Sequence, residues 1–465
     1  MEGKIRGILS QGHGISDADC TSLQQTIAEA KHGGNKYDTP EKLATTIDRL
    51  ALEMSKERHS PVKYPITVAC AGNGGGKTAA TANAFNIYIE NSASIDGYMN
   101  GNTEFKASLF ELMTRINGNH ETLTASFIND KPYPINKPLK EFIDFLEPRN
   151  MKGVGKRNVS DINDVLRQAI ETFKTDHRIA VILSDYIYSI PNKAVEEGLT
   201  DQEYKTVTTM QSIKDLDCAV LIIKSTSQFK GTYYDLHNAP HQINQERPYY
   251  TWVIGKTAQI ADFMERYQTA TYKGYKNSIV FYASQNTPQP YYSILSNTDK
   301  KGRFQKRDRS QSQVKAITNI SPDRDGKSFQ FAVAIDCSHL PADPSYYTNP
   351  KNYTAVTALK DTLNVVAVRD IVKADRLDKE SAGNATHYII LASSKLPHGK
   401  QQITLRLAKQ LPEWVTASSI NDDSNAKNID DRTTFGIRYL IEGVSKAFDP
   451  NGKGNYFSVP LELEY

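Results

Sequence analysis

The chain has 465 residues with Lys+Arg 56 against Asp+Glu 53, a formal net charge of +3, which excludes the strongly basic footprint of a dedicated nucleic-acid binder. A hydrophobic fraction of 39% with 23% charged residues excludes wholesale disorder, and no apolar run approaches the roughly 18 residues of a spanning helix. The cysteines Cys20, Cys70, Cys218 and Cys337 are far apart and form no CxxC pair, which argues against a cysteine zinc site and a disulfide framework.

Residues 1–10 lack the apolar core of a secretory signal, so the chain as given reads as cytoplasmic, or as a cell-envelope protein if a leader has been removed. Residues 16–57 read as helical. Asp17 and Asp19 suit the start, Leu23, Ile27 and Ala30 recur at helical spacing, and a second helix from Thr39-Pro40-Glu41 presents Leu43, Ile47, Leu50 and Leu52. A helical hairpin over 1–62 and a Gly-rich linker over 63–84 follow from this. From 85 the pattern alternates. Strands are expected at 85–90, 122–128, 179–185, 218–223 and 249–254, with helices near 103–116, 138–146, 161–173 and 200–215 and one carrying Ile260, Phe263 and Met264. Apolar runs separated by amphipathic helices predict an α/β fold, a doubly wound parallel sheet of Rossmann type over 85–298. Residues 299–315 read as a basic linker. Beyond it, period-two strands at 328–336, 363–371, 386–392, 402–408 and 456–463, interrupted by a helix at 433–447, predict an Ig-like C-terminal β-sandwich over 316–465. There is no internal repeat.

Two stretches bear on phosphate or metal chemistry. Gly72-Asn73-Gly74-Gly75-Gly76-Lys77-Thr78 has the GKT ending of a phosphate-cradling loop, but Ala71 stands where that motif has its first glycine. A P-loop nucleotide hydrolase using Lys77 and Thr78 is therefore the alternative reading, and it requires 78–90 to be one helix. Glu90-x-Ser92-x-Ser94 ends the first strand of the α/β region. A carboxylate and two hydroxyls there are hard oxygen donors of the kind Mg²⁺ takes, at the strand ends where open α/β sheets bind ligands.

With Ser160-Asp161-Ile162-Asn163-Asp164-Val165-Leu166 before a helix and Leu183-Ser184-Asp185 at a strand end, this pattern resembles the von Willebrand factor A (vWA) family over about 85–270. That family carries D-x-S-x-S, a loop Thr and an Asp in this order as its metal-ion-dependent adhesion site. Here Glu90 replaces the first Asp and Ser160 the Thr. The resemblance implies one divalent cation, Mg²⁺ (or Mn²⁺/Ca²⁺), held by Glu90, Ser92, Ser94, Ser160 and Asp185. It further implies a protein partner whose acidic residue completes the shell, and a binding or adaptor role rather than an enzymatic one. A metal-free scaffold subunit of a larger bacterial assembly is the third reading. Asp96-Gly97 suits a tight turn.

Residues 225–250, with Phe229, Tyr233, Tyr234, His237, His241, Arg247, Tyr249 and Tyr250, read as a long connection between strands, packed on the sheet edge or touching a partner. The Asp422-Asp423 and Asp430-Asp431 cluster lacks calcium-loop spacing and reads as a solvated loop. None of G-x-S-x-G, H-E-x-x-H or H-x-E with P-C-x-x-C occurs.

Overall fold

The computed structural model describes residues 2–10, 23, 50, 54 and 83–465, apart from 158–160, 191–192, 284–288, 309, 325–327, 339, 341, 358–362, 373–378 and 394–398. The chain divides into two compact units, 1–83 and 84–465. In the first, helix α1 (Glu2–Ser10) buries Ile5 and Ile8. Leu23, Leu50 and Met54 are helical and buried. The rest of the helical hairpin expected over 1–62 and most of the linker, with Lys77 and Thr78, lie outside the described residues. No described helix is long and apolar enough to cross a membrane.

The second unit is built on a seven-stranded sheet. Its strands are β1 (Ala84–Glu90), β2 (Thr122–Ile128), β3 (Pro132–Pro134), β4 (Ile179–Ser184), β5 (Ala219–Tyr234), β6 (Pro240–Gly255) and β7 (Tyr275–Tyr282), in the order β3-β2-β1-β4-β6-β5-β7. Its helices include the short α2 (Asp96–Met99), α3 (Glu104–Gly118), α4 (Ile162–Asp176), α5 (Val195–Gln211) and α6 (Thr257–Tyr267), with two further short ones, Leu139–Phe145 and Pro148–Met151, between β3 and α4. β1 and β4 are buried along nearly their whole length, as their unbroken apolar runs require. Alternation sorts the two faces. Ile87, Ile89, Val181 and Leu183 share a core with Leu109 and Met113 of α3 and Phe263 of α6, whereas Tyr88, Ala180 and Ile182 pack with Val165 and Ile170 of α4 and Leu199 of α5.

The expected wholly parallel sheet is corrected. Only β2, β1 and β4 run parallel, while β3, β6, β5 and β7 are each antiparallel to their neighbours. The reason is loop length. Residues 235–239 alone join β5 to β6, and a parallel pair needs a crossover of a dozen or more residues. The stretch 225–250 is accordingly no long connection. It is the outer half of a hairpin in register from Ser225↔Tyr249 to Tyr234↔Pro240, with Phe229 and Tyr233 buried at period two. The nucleotide-hydrolase reading requires one helix over 78–90, whereas residues 84–90 of that span form β1, the strand expected there; residues 78–82 lie outside the described residues.

Two further, mainly antiparallel sheets follow. The strands are β8 (Tyr292–Leu295), β9 (Arg303–Lys306), β10 (Ala316–Ser321), β11 (Phe329–Ile335), β12 (Tyr353–Thr357), β13 (Asn364–Asp370), β14 (His387–Ser393) and β15 (Lys400–Ala408). After the short pair β16 (Ser419–Ile420) and β17 (Thr434–Phe435) comes β18 (Asn455–Glu464). One sheet is ordered β12-β15-β18-β10-β9, the other β13-β14-β11-β8. β9 lies within the expected basic linker and β8 before it, so these sheets begin earlier than 316. Phe329, Phe331 and Val333 of β11 join the cluster of Leu405, Phe457 and Leu461, while Ala332 and Ala334 face away with Tyr388 and Ile390.

Helix α7 (Ile437–Phe448), expected as an interruption of the C-terminal strands, returns to the α/β sheet. Its Leu440, Ile441 and Val444 share the core of α4 and α5. A Cβ at Gly443 would lie 2.8 Å from Glu203 O and from Thr206 Cβ, so glycine lets α7 approach α5 this closely. Leu440→Ala should cost about 2–5 kcal/mol through loss of contact and a cavity. Urea denaturation checks this, and a loss below about 1 kcal/mol would contradict the packing role of α7.

Candidate functional site

β1 connects to β2 on one side of itself, and the chain then returns to β4 on the other. The C-terminal ends of β1 and β4 therefore flank a switch in strand order, where such sheets leave a crevice. Glu90 ends β1 and Asp185 follows the last residue of β4. With Ile89 paired to Leu183, Glu90 and Ser184 come side by side, and Ser184 Oγ donates to Glu90 Oε2 at 2.6 Å. The Tyr186 N–H donates to the same Ser184 oxygen at 2.7 Å.

The loop after β1 carries both serines. Ser92 Oγ and Ser94 Oγ are 2.9 Å apart. The loop then turns into α2. There a Cβ on Gly97 would collide with the Phe229 ring, so glycine seats the turn against β5. Tyr98 packs edge-on against Phe229 at 4.9 Å and donates to Pro248 O at 2.5 Å. At the other end of the loop, Asn91 N–H donates to Ile128 O, and its side-chain amide to Met151 O and Val154 O. The loop is thus tied to β2, β5, β6 and the 148–154 segment.

Asp185 is 0% exposed. Its Oδ1 accepts the Ile187 N–H at 3.2 Å, and its buried Oδ2 has no hydrogen-bond partner among the described residues. Burial pushes its carboxyl above the usual carboxylate range, opposed by the Ser94 hydroxyl, the Ile187 N–H and the Arg247 guanidinium. The next residue, Tyr186, has φ 54°, a left-handed conformation uncommon for an aromatic residue. It is held there by stacking on Trp252 at 4.7 Å. Such strain at a strand end marks a position fixed by its surroundings.

A cleft of about 460 Å³ opens here, bordered by Glu90, Ser92, Ser94, Arg157, Asp161 and Lys205 among others. Of the five residues expected as metal ligands, Glu90, Ser92 and Ser94 border this cleft and Asp185 is buried beside Ser94. Ser160 lies outside the described residues. Its neighbour Asp161 caps α4 by accepting the Asn163 N–H at 2.9 Å, and accepts Lys205 Nζ at 2.9 Å. The donors present are hydroxyl and carboxylate oxygens, one of them a buried orphan, and they suit a hard cation rather than a soft one.

Sequence reasoning missed several participants. Ser184 was visible only as a neighbour of Asp185, with no sign that it would hold Glu90. Arg157 reaches the loop by tertiary contact alone. Tyr234 and Asn238 border the cleft from the hairpin end of β5. Two of the other candidates make contacts within the fold. His241 Nε2 meets Asp235 Oδ2 at 2.8 Å within the hairpin turn. Asp423 accepts from Tyr233 Oη and from Leu236 N–H, so the acidic cluster is not simply a solvated loop. No family model matches this chain, and no curated protein does.

The raised Asp185 carboxyl has a signed consequence. Folding favours its protonated form, so its contribution to stability is complete below the ordinary aspartate value of 3.8 and is lost as pH rises through the raised value. Asp185→Asn should therefore melt at a higher temperature than the unmodified chain near neutral pH in chelator, with the gain vanishing in acid. Melting curves across pH test this, and a pH-independent difference would contradict it.

Proposed function

We propose that this chain is a cation-dependent recognition protein of vWA type. Glu90, Ser92, Ser94 and Asp185 gather one divalent cation, Mg²⁺ or else Mn²⁺ or Ca²⁺, at the ends of β1 and β4. The serine hydroxyls serve as direct ligands. The two carboxylates supply negative charge directly or through water, and a carboxylate of a protein partner entering the cleft completes the shell. The observation that supports this reading is the buried Asp185 Oδ2, which accepts no regular hydrogen bond among the described residues and belongs to a carboxyl with the Ser94 hydroxyl beside it, itself 2.9 Å from that of Ser92. An orphaned buried carboxylate oxygen is costly, and a hard cation would satisfy it. In this reading the chemistry is binding. The C-terminal sheets, read as a β-sandwich, then act as a second interaction or spacing module.

Calorimetric titration of the full chain with Mg²⁺, Mn²⁺ and Ca²⁺ tests the site. One cation per chain is expected, with Ser92→Ala and Ser94→Ala each weakening binding at least tenfold. A chain that binds no divalent cation, or serine variants that bind as well as the parent, would leave the metal-free scaffold reading in its place. Cation affinity should also fall as pH is lowered through the raised Asp185 value, because the proton and the cation compete for one carboxylate. An affinity flat across that range counts against Asp185 as a participant.

A further inference from the structure

Arg157 sits on the segment between the short helix Pro148–Met151 and α4, far from the serine loop in sequence, yet its guanidinium makes four contacts to that loop. Nη2 donates to Ser92 O at 2.8 Å, and Nε to Asn91 O at 3.2 Å. The fork closes on Asp96, with Nη2 to Oδ1 at 2.5 Å and Nη1 to Oδ2 at 3.3 Å. The side chain is 10% exposed. The two backbone acceptors lie at the start of the loop and the carboxylate at its end, so Ser94 lies between the gripped points and Ser92 is itself gripped. The Asn91 amide reaches the opposite way, to Met151 O and Val154 O. Loop and segment are therefore stitched together from both sides. A planar guanidinium suits this task because its donors diverge at fixed angles, which a lysine ammonium cannot reproduce.

We propose that Arg157 is the positioning residue of the cation site, fixing the spacing of the Ser92 and Ser94 hydroxyls by clamping both ends of their loop. This rests on the cation reading above. Electrostatics and positioning make opposite predictions here. A positive charge bordering the same cleft disfavours a bound cation, and removing it leaves the Asp96 carboxylate uncompensated, so charge alone makes an alanine variant bind more tightly. Positioning makes it bind more weakly. The loss should be greater for Mg²⁺, which demands near-ideal octahedral geometry, than for Ca²⁺, which tolerates irregular shells.

The test uses the full chain as unmodified protein, Arg157→Ala, Arg157→Lys and Asp96→Asn. Each is titrated with Mg²⁺ and with Ca²⁺ and followed by amide hydrogen exchange over residues 91–97. Arg157→Ala should lose at least tenfold in Mg²⁺ affinity, as supporting contacts of metal ligands usually do, and clearly less for Ca²⁺. Arg157→Lys should not restore it. Exchange over 91–97 should quicken while the sheet core stays protected, which separates the effect from failure to fold. Unchanged or tighter Mg²⁺ binding, an equal loss for both cations, or full rescue by lysine would overturn the proposal. If the unmodified chain binds no cation, the cation reading falls and takes the ligand-positioning role with it. The exchange data then still decide whether Arg157 orders the loop, and unchanged exchange in Arg157→Ala removes the clamp itself.

Discussion

The charge of two buried carboxylates constrains everything around the ends of β1 and β4. Glu90 is 2% exposed and Asp185 0%, and a carboxylate removed from water is tolerated only with hydrogen-bond donors or opposite charge beside it. Glu90 receives Ser184 Oγ. Among the described residues, Asp185 Oδ1 accepts a backbone N–H and Oδ2 makes no regular hydrogen bond, while the Ser94 hydroxyl and the Arg247 guanidinium favour its charged form. The Ser92–Ser94 hydroxyl pair and the left-handed Tyr186 lie close to these carboxylates in the chain.

The surrounding architecture braces this position from behind. Arg247 is 1% exposed and lies over the Tyr233 ring at 4.8 Å, with a donor to Asp430 O. It is among the groups that favour the charged form of Asp185. Tyr233 in turn donates to Asp423. The segment between β16 and β17 is thereby bound to the hairpin of β5 and β6, whose end borders the cleft. Lys224, its ammonium lowered to about 8 chiefly by burial, ties the same segment down through Ser418 Oγ and Arg432 O at 2.6 Å each. Together with α7, these contacts pack the stretch 418–448 against the α/β sheet. On the far edge, Lys409 donates to Tyr282 O at 2.9 Å, with its ammonium lowered to about 7 by desolvation. That contact and the Tyr456 hydroxyl, donating to Val280 O at 3.2 Å, join β7 to the later strands.

Much of the candidate site was legible because its residues break local rules. A carboxylate and two hydroxyls after an apolar strand, and an aspartate ending the most apolar strand, make little sense as packing. They were therefore conspicuous without coordinates. Ser184 and Arg157 were not. A serine beside an aspartate has no distinctive pattern, and an arginine in a polar, basic segment looks like every other solvated arginine. Their roles exist only because β4 lies beside β1 and because the 148–157 segment folds back over the loop.

The fold divides along the same line. Apolar runs and helical periodicity are local properties, so the sequence alone determined strands at β1, β2 and β4, helices α3, α4 and α6, and two-face burial of the central strands. Strand direction is not local. It depended on the five residues 235–239, which turn β5 back on itself as a hairpin and make half the sheet antiparallel. Nor could the short β8 and β9 reveal from local pattern which sheet they would join, since strand pairing is chosen by distant partners competing for the same backbone hydrogen bonds. Tertiary structure alone decided that α7 would cover the α/β sheet. Its apolar stripe states that one face must be buried, but the partner that buries it lies on α5, some 240 residues earlier, as the contact of Lys446 with Glu203 shows.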